Sequence, residues 1–204
     1  MTMRIIGITG PTGAGKTTAL HALADLGAAV IDCDGVYHDL TENSAPMLDE
    51  LRRRFGDGIF DSDGALQRKV LGTIVFGDEG SLADLNAITH RYVNDEVDRR
   101  LDQARGEGRP AAAVDAIALL DSDLRDKCHC TVAVTAPDEV RVRRIMARDG
   151  IGEEYARLRL AAQKPVEYFE HNSDYTLRND GEDPAEFYRR ARALFESLIF
   201  QGGI

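Results

Sequence analysis

The 204-residue chain is 43% apolar and 29% charged, too apolar for a disordered polypeptide and long enough for one domain with an inserted subdomain, though cramped for two independent ones. Its 35 acids against 25 basic residues leave a formal charge of −10, which argues against a general nucleic-acid binder and requires any anionic ligand to be captured by local positive charge. No apolar run approaches a membrane span, and the apolar part of the opening MTMRIIGITG is too short for a secretory signal, so the expected setting is cytoplasmic, with no membrane partner.

Arg4 to Thr9 (RIIGIT) is a short apolar run that stops at Gly10, the pattern of a buried strand. After a glycine loop, Thr17 to Leu26 carries apolar residues at helical spacing and halts at Gly27, and Val30 to Asp34 (VIDCD) supplies a second strand that ends in two acids. From Val36 to Arg105 the spacing is mostly helical, with breaks at Asn43 to Pro46 and Gly56 to Gly64 and no convincing strand, so this stretch reads as an insertion. Gly106 to Pro110 (GEGRP) is a hinge-like linker into a third strand, Ala111 to Ala116. Thr131 to Thr135 is a fourth strand, and Ala136-Pro137-Asp138 starts a helix with proline in its first turn. Asp174 to Leu177 is the fifth strand and Pro184 to Phe200 a closing amphipathic helix. Strands alternating with helices imply a parallel sheet covered on both faces.

The three cysteines, Cys33, Cys128 and Cys130, are too few and too isolated for a disulfide framework. Cys128-His129-Cys130 has no second ligand pair nearby, so it reads as strand-entry packing ahead of a metal site.

Residues 10 to 17, GPTGAGKT, satisfy G-x-x-x-x-G-K-[ST] between a strand and a helix, the context the motif needs. Glycines let backbone N–H groups curl around phosphate oxygens, Lys16 neutralises the β and γ groups, and Thr17 offers a hydroxyl to magnesium. The loop indicates a nucleoside triphosphate and leaves the phosphate acceptor open.

On a strand, Asp32 and Asp34 project to one face at the carboxyl end of the sheet, where ligands of open parallel sheets gather. One carboxylate can orient a hydroxyl and take its proton while the other supports hydrated magnesium; the competing reading is a helix N-cap beside a solvated acid. Asp115 is read equally as a Walker-B-type acid or as a local cap. Arg141, Arg144 and Arg148 recur at three and four residues and share a helical face. That face either captures polyphosphate or is a solvated stripe paired with Glu139, Asp149 or Glu153.

In order and spacing, GPTGAGKTT, VIDCD and FGDGIFDSDGALQRKVLGTIVFGDEGSLADLNAITH resemble the dephospho-coenzyme A kinase family. The shared landmarks are Phe55-Gly56, Asp63 to Arg68, Val75-Phe76 and Leu85 to His90; DEVRVRRIMARDGIGEEYARLRLAAQ resembles the family's lid, and SDYTLRNDG its strand ending in Asn-x-Gly. The resemblance runs over nearly the whole chain. It implies a P-loop kinase fold: a five-stranded parallel sheet flanked by helices, an acceptor-binding helical insertion over 36–105, a nucleotide core of 1–35 and 106–204, and a lid over 149–168.

The implied reaction is ATP-dependent phosphorylation of the 3′-hydroxyl of dephospho-coenzyme A with Mg2+, the last step of coenzyme A biosynthesis. Another small-molecule P-loop kinase, for a nucleoside monophosphate or shikimate-like acceptor, is the alternative. Gly13, Ala14, Gly15, Lys16, Thr17, Thr18, Arg148 and Asn179 are the implied ATP contacts. Asp34, Arg68 and His90 belong to the acceptor side, Asp34 with Lys16 and Arg144 to the chemistry, and Thr17 and Asp32 to the metal. Arg68 and His90 read equally as capping or core-satisfying groups, and Asn179 either reaches the adenine edge or forms a turn. The chain departs from the family where Arg91 follows His90 in place of the usual proline, and where Asp121 stands for a glutamate often found there. A nucleotide-dependent switch is a rival from another class, but no N-K-x-D guanine motif supports it.

Overall fold

The computed structural model describes residues 2–181 and 183–200. Their elements follow in chain order as β1 (Arg4–Thr9), α1 (Lys16–Asp25), β2 (Ala29–Asp32), α2 (Cys33–Asn43), α3 (Ala45–Phe55), α4 (Arg68–Val75), α5 (Glu79–Gly106), β3 (Ala111–Asp115), β4 (Cys130–Thr135), α6 (Asp138–Asp149), α7 (Glu153–Ala161), α8 (Val166–Asn172), β5 (Tyr175–Arg178) and α9 (Pro184–Phe200). They divide into two compact units, one from the described residues of Met1–Ile31 and Leu101–Ile204, the other from Asp32–Arg100.

The first unit is built on a five-stranded parallel sheet in the order β2-β3-β1-β4-β5. β1 is central because both its faces are apolar: every position after Arg4 is buried, as a parallel strand covered on two sides requires. It pairs with β3 from Arg4↔Ala111 to Ile8↔Asp115 and with β4 from Ile6↔Cys130 to Thr9↔Ala133. Ile6, Ile8, Val132 and Val134 pack with Ala19 and Leu23 of α1 and with Phe187 and Phe195 of α9. A fully buried side chain of this size contributes about 1.5–3 kcal/mol.

Strand ends in β2 to β5 shift by one or two residues from the sequence expectation, and β5 shows one reason. Asp174 stops short of the strand because its carboxylate accepts the Thr131 N–H at 2.7 Å and the Thr131 hydroxyl at 2.8 Å, serving as a cap between β4 and β5. β3 ends at Asp115 and β4 starts at Cys130. Pro137 is the N-cap of α6 and not part of its first turn, which Asp138 and Glu139 open.

Cys128-His129-Cys130 is strand-entry structure. His129 Nδ1 accepts the Ile5 N–H at 2.9 Å while the His129 N–H donates to the Ile5 carbonyl at 2.8 Å, locking the start of β1 to the entry of β4. Burial pushes the Cys128 thiol up to about 12 and the Cys130 thiol up to about 11, so both are unreactive thiols at neutral pH.

The second unit is helical. Its core joins Met47 and Leu51 of α3, Ile59 and Phe60 after it, Leu71 and Val75 of α4, and Ile88 of α5. Ser44 separates α2 from α3 by accepting the Met47 N–H at 3.4 Å, and Pro46 fits the first turn of α3. The glycine-rich stretch from Gly56 to Gly64 is a turn region in which the Asp61 carboxylate accepts the N–H groups of Asp63 and Ala65 at 3.0 and 2.9 Å. Strand character there amounts to one bridge, Phe60 to Leu66.

Candidate active site

The GPTGAGKT loop joins β1 to α1. Gly15 is the N-cap of α1 at φ 102°, no side chain caps the helix, and its first turn carries no acid. The positive end of the helix is therefore left for an external anion. Lys16 Nζ donates to the Gly10 carbonyl at 3.1 Å, which holds the ammonium across the loop. Thr17 is exposed in the first turn.

Two sets of side chains brace this loop from outside. Asn179, 5% exposed, donates from Nδ2 to the Ala14 carbonyl at 2.8 Å, while its own N–H donates to the Thr135 carbonyl at 2.7 Å. Arg144 Nη2 donates to Asn179 Oδ1 at 3.2 Å, and Nη1 reaches the carbonyls of Gly13 and Ala14 at 3.4 and 3.3 Å. A Cβ at Gly15 would stand 2.2 Å from Asn179 Nδ2, so the brace and the glycine require each other. On the other side, Arg141 Nε donates to the Thr12 carbonyl at 3.0 Å.

Arg141, Arg144 and Arg148 of α6 thus have different roles. Arg141 is 2% exposed, so the reading of a solvated stripe fails at this position: burial lowers its pKa, while Asp138, accepting from Nη1 at 2.8 Å, offsets that. Arg144 is half-buried and its pKa is lowered by burial and then by neighbouring Arg143. Arg148 is exposed and lies against the Asp149 carboxylate at 2.7 and 3.1 Å, which Arg159 also engages. Hydrogen bonds from Arg148 first bring Asp149 down to about 2. A cavity of about 680 Å3 opens beside this region, bordered by Thr135, Asp138, Arg141, Gln163, Glu170 and Arg178.

The acid pair differs from the strand geometry expected of it. β2 ends at Asp32, whose Oδ1 accepts the Asp34 N–H at 3.0 Å as the N-cap of α2, and Asp34 lies in the first helical turn. An aspartate that caps a helix ends the strand before it, so the two carboxylates do not share a strand face. Both are exposed, and Asp34 gains from the positive end of α2. In the same unit Arg68 donates to His38 Nδ1 at 2.7 Å and to the Thr41 hydroxyl, with its guanidinium 5.8 Å from the Tyr37 ring centre. His90 is exposed on α5, and the adjacent Arg91 pairs with Glu50. Asp115 stands at the end of β3 in register with Ile8. Asp121 accepts the Tyr168 hydroxyl.

Among the described residues no group of three or more His, Cys, Asp or Glu could hold a metal. Magnesium in phosphoryl-transfer sites is carried by one or two protein oxygens and the phosphates themselves, so the exposed Thr17 hydroxyl suits it. No helix among the described residues is long and apolar enough to cross a membrane. Gln163, which contacts Thr12, and the bracing role of Asn179 were missed by sequence reasoning. Their partners lie 151 and 165 residues away, and no local pattern signals such a pairing.

Residues 4–184 match the model of the dephospho-CoA kinase family. The dephospho-CoA kinase of Symbiobacterium thermophilum is 38% identical over 88% of this chain and 75% of its own length. That of Geobacter sulfurreducens is 36% identical over 95% of this chain and 98% of its own. The solved dephospho-CoA kinase of Campylobacter jejuni superposes with a TM-score of 0.71 over 98% of this chain and 100% of its own, at 21% identity, a likeness of fold.

Proposed function

Because the chain belongs to the dephospho-CoA kinase family, we propose that the 3′-hydroxyl of the acceptor ribose attacks the γ-phosphorus of ATP at the GPTGAGKT loop. The reaction is the ATP-dependent phosphorylation of dephospho-coenzyme A. The observation that carries the reading is the loop itself: a braced glycine arch, Lys16 folded across it, and a helix end that no side chain caps.

The hydroxyl oxygen forms a bond to the γ-phosphorus, the bond to the β-γ bridging oxygen breaks, and the bonding pair leaves with ADP. Asp34 takes the hydroxyl proton. Phosphoryl transfer asks for little covalent help, so positioning and charge neutralisation supply most of the rate. Gly13, Ala14, Gly15 and Thr18 form the backbone wall around the phosphates, the N–H groups of Ala14 and Thr18 being bonded to the Pro11 and Gly15 carbonyls at 3.2 and 3.1 Å; Lys16 meets the β and γ oxygens, and Arg144 and Arg148 add positive charge. Thr17 would hold magnesium, with Asp32 the further oxygen that the family resemblance implies, and the ion would neutralise phosphate charge when bound. Arg68 and His90 serve the acceptor in the insertion over 36–105, and Asn179 serves ATP by holding the loop. The segment 149–168 is the lid that excludes water, which would otherwise receive the phosphate. The enzyme works in the cytoplasm, where both substrates are met.

The test is purified protein with ATP, magnesium and dephospho-coenzyme A, with coenzyme A detected by mass. Product is expected with this acceptor and not with a nucleoside monophosphate or shikimate. Absence of coenzyme A would overturn the reading.

A further inference from the structure

Thr12, the third residue of the loop, has all three of its polar groups engaged by side chains far along the chain. Its N–H donates to Gln163 Oε1 at 3.0 Å, its carbonyl accepts from Arg141 Nε at 3.0 Å, and its hydroxyl accepts from Gln163 Nε2 at 2.6 Å. Arg141 Nη2 also donates to Gln163 Oε1 at 3.1 Å, closing the network. Gln163 lies just past the Ala162 C-cap of α7, its N–H donating to the Leu160 carbonyl at 3.0 Å, and α7 packs on α6 through Ala156 against Val142 and Ile145, so its backbone is well supported.

Peptide planarity gives these contacts a consequence. The Thr12 carbonyl and the Gly13 N–H belong to one trans plane and point in opposite directions, as do the Pro11 carbonyl and the Thr12 N–H. Fixing the Thr12 carbonyl and N–H therefore fixes two successive planes at the entry to the phosphate arch. Gly13 follows at φ 82°, a soft glycine joint that would otherwise let the arch sample many shapes. A phosphate cradle lowers the barrier only when its donors are aimed before the charge arrives.

We propose that Gln163 is a positioning residue for phosphoryl transfer, an amide clamp that holds the peptide plane before Thr12 directly and the plane after it through Arg141, whose Nη2 it accepts, so that the Gly13 N–H and the arch beyond it face the polyphosphate. This rests on the reading that the loop binds ATP. Gln163 does not itself touch the nucleotide. Its side chain suits the task because one amide can accept twice through its oxygen and donate through its nitrogen.

The experiment compares wild type with Gln163→Ala, Gln163→Met and Gln163→Glu. ATP and dephospho-coenzyme A are varied separately, and ATP binding is followed by calorimetry without acceptor. For Ala and Met, kcat/KM for ATP should fall about tenfold to a hundredfold, while KM for the acceptor stays within about twofold. Gln163→Glu should recover most of the loss, since a carboxylate accepts from the Thr12 N–H, the Thr12 hydroxyl and Arg141 together. Thr12→Val, which removes only the hydroxyl, should lose less, and combining it with Gln163→Ala should add less than its separate effect. A lower Tm with kcat/KM for ATP unchanged, or an equal rise in both KM values, would overturn the proposal and leave Gln163 a structural prop. If Gln163→Ala does not fold, unchanged kcat/KM for ATP in Thr12→Val overturns it. Failure of the function reading is distinct: wild type would then make no coenzyme A, while calorimetry would still compare the clamp variants for ATP.

Discussion

The phosphate loop and the acid-bearing start of the helical unit are built by opposite means. At the loop, carbonyls and N–H groups are held by buried or half-buried side chains from distant parts of the chain, Asn179, Arg141, Arg144 and Gln163. In the helical unit, Asp32, Asp34, Arg68 and His90 are all exposed. Asp32 bonds its near neighbour Asp34, and Arg68 reaches from the surface to the exposed His38 and to the hydroxyl of the buried Thr41. The difference teaches where preorganisation is needed. A polyphosphate concentrates charge that only fixed dipoles can meet without a reorganisation cost, whereas groups that wait in water for an acceptor are ordered when it binds.

The sharpest way to break the comparison is to remove charge from the loop while leaving its braces. Lys16→Ala should lower kcat on the order of a thousandfold, the scale of losing a cation from a transferring phosphoryl group. ADP release measures the loss, and Tm should fall by a few degrees at most, the scale of losing the Nζ bond to the Gly10 carbonyl. A smaller loss than any variant of the helical unit would show that fixed loop charge is not the dominant contribution.

The next effect belongs to the exposed side. Asp34→Asn should reduce kcat on the order of a hundredfold while ATP affinity by calorimetry stays the same. Near-wild-type turnover would show that another acid takes the proton. Asn179→Ala tests the brace and should cost about 2 kcal/mol of stability by urea unfolding, since the Ala14 carbonyl and Arg144 lose a buried partner. His90→Ala, on an exposed face, should change stability by less than about 0.5 kcal/mol. Equal costs for the two would erase the contrast.

How much of this was legible follows the range of the forces involved. The strands, the glycine loop and the helical insertion were readable because apolar runs, turn residues and helical spacing act over a few positions. The arginine spacing on α6 was also readable, but the burial of Arg141 was not, because the side chain is held by Thr12 and Gln163, which are distant in sequence. VIDCD failed at its boundary: alternation counts Asp32 and Asp34 as one strand face, while capping ends the strand at Asp32, and the local hydrogen bond to the Asp34 N–H decided it. Asn179 carries a turn-like local signal, yet its side chain holds a carbonyl 165 residues earlier.

A small effect of another kind separates the two regions by pH. Glu96 of α5 accepts from Arg99 at 2.7 and 2.8 Å and from Arg100 at 2.8 Å, and these bonds, Arg99 first, bring its pKa from 4.5 to about 2. The folded value lies below the unfolded one, so the unfolded chain binds the extra proton as pH falls. The contribution is therefore complete above about 4.5 and is lost progressively toward about 2. Because the pairs lie at the surface, Glu96→Gln should cost at most about 1 kcal/mol at pH 7, and less at an acid pH inside that window. Asn179 has no proton to gain there, and its bonds run to a carbonyl and a guanidinium. The cost of Asn179→Ala should thus be the same at both pH values in urea unfolding. A Glu96→Gln cost that holds constant with pH would mean that helix packing, and not the ion pairs, sets this glutamate's contribution.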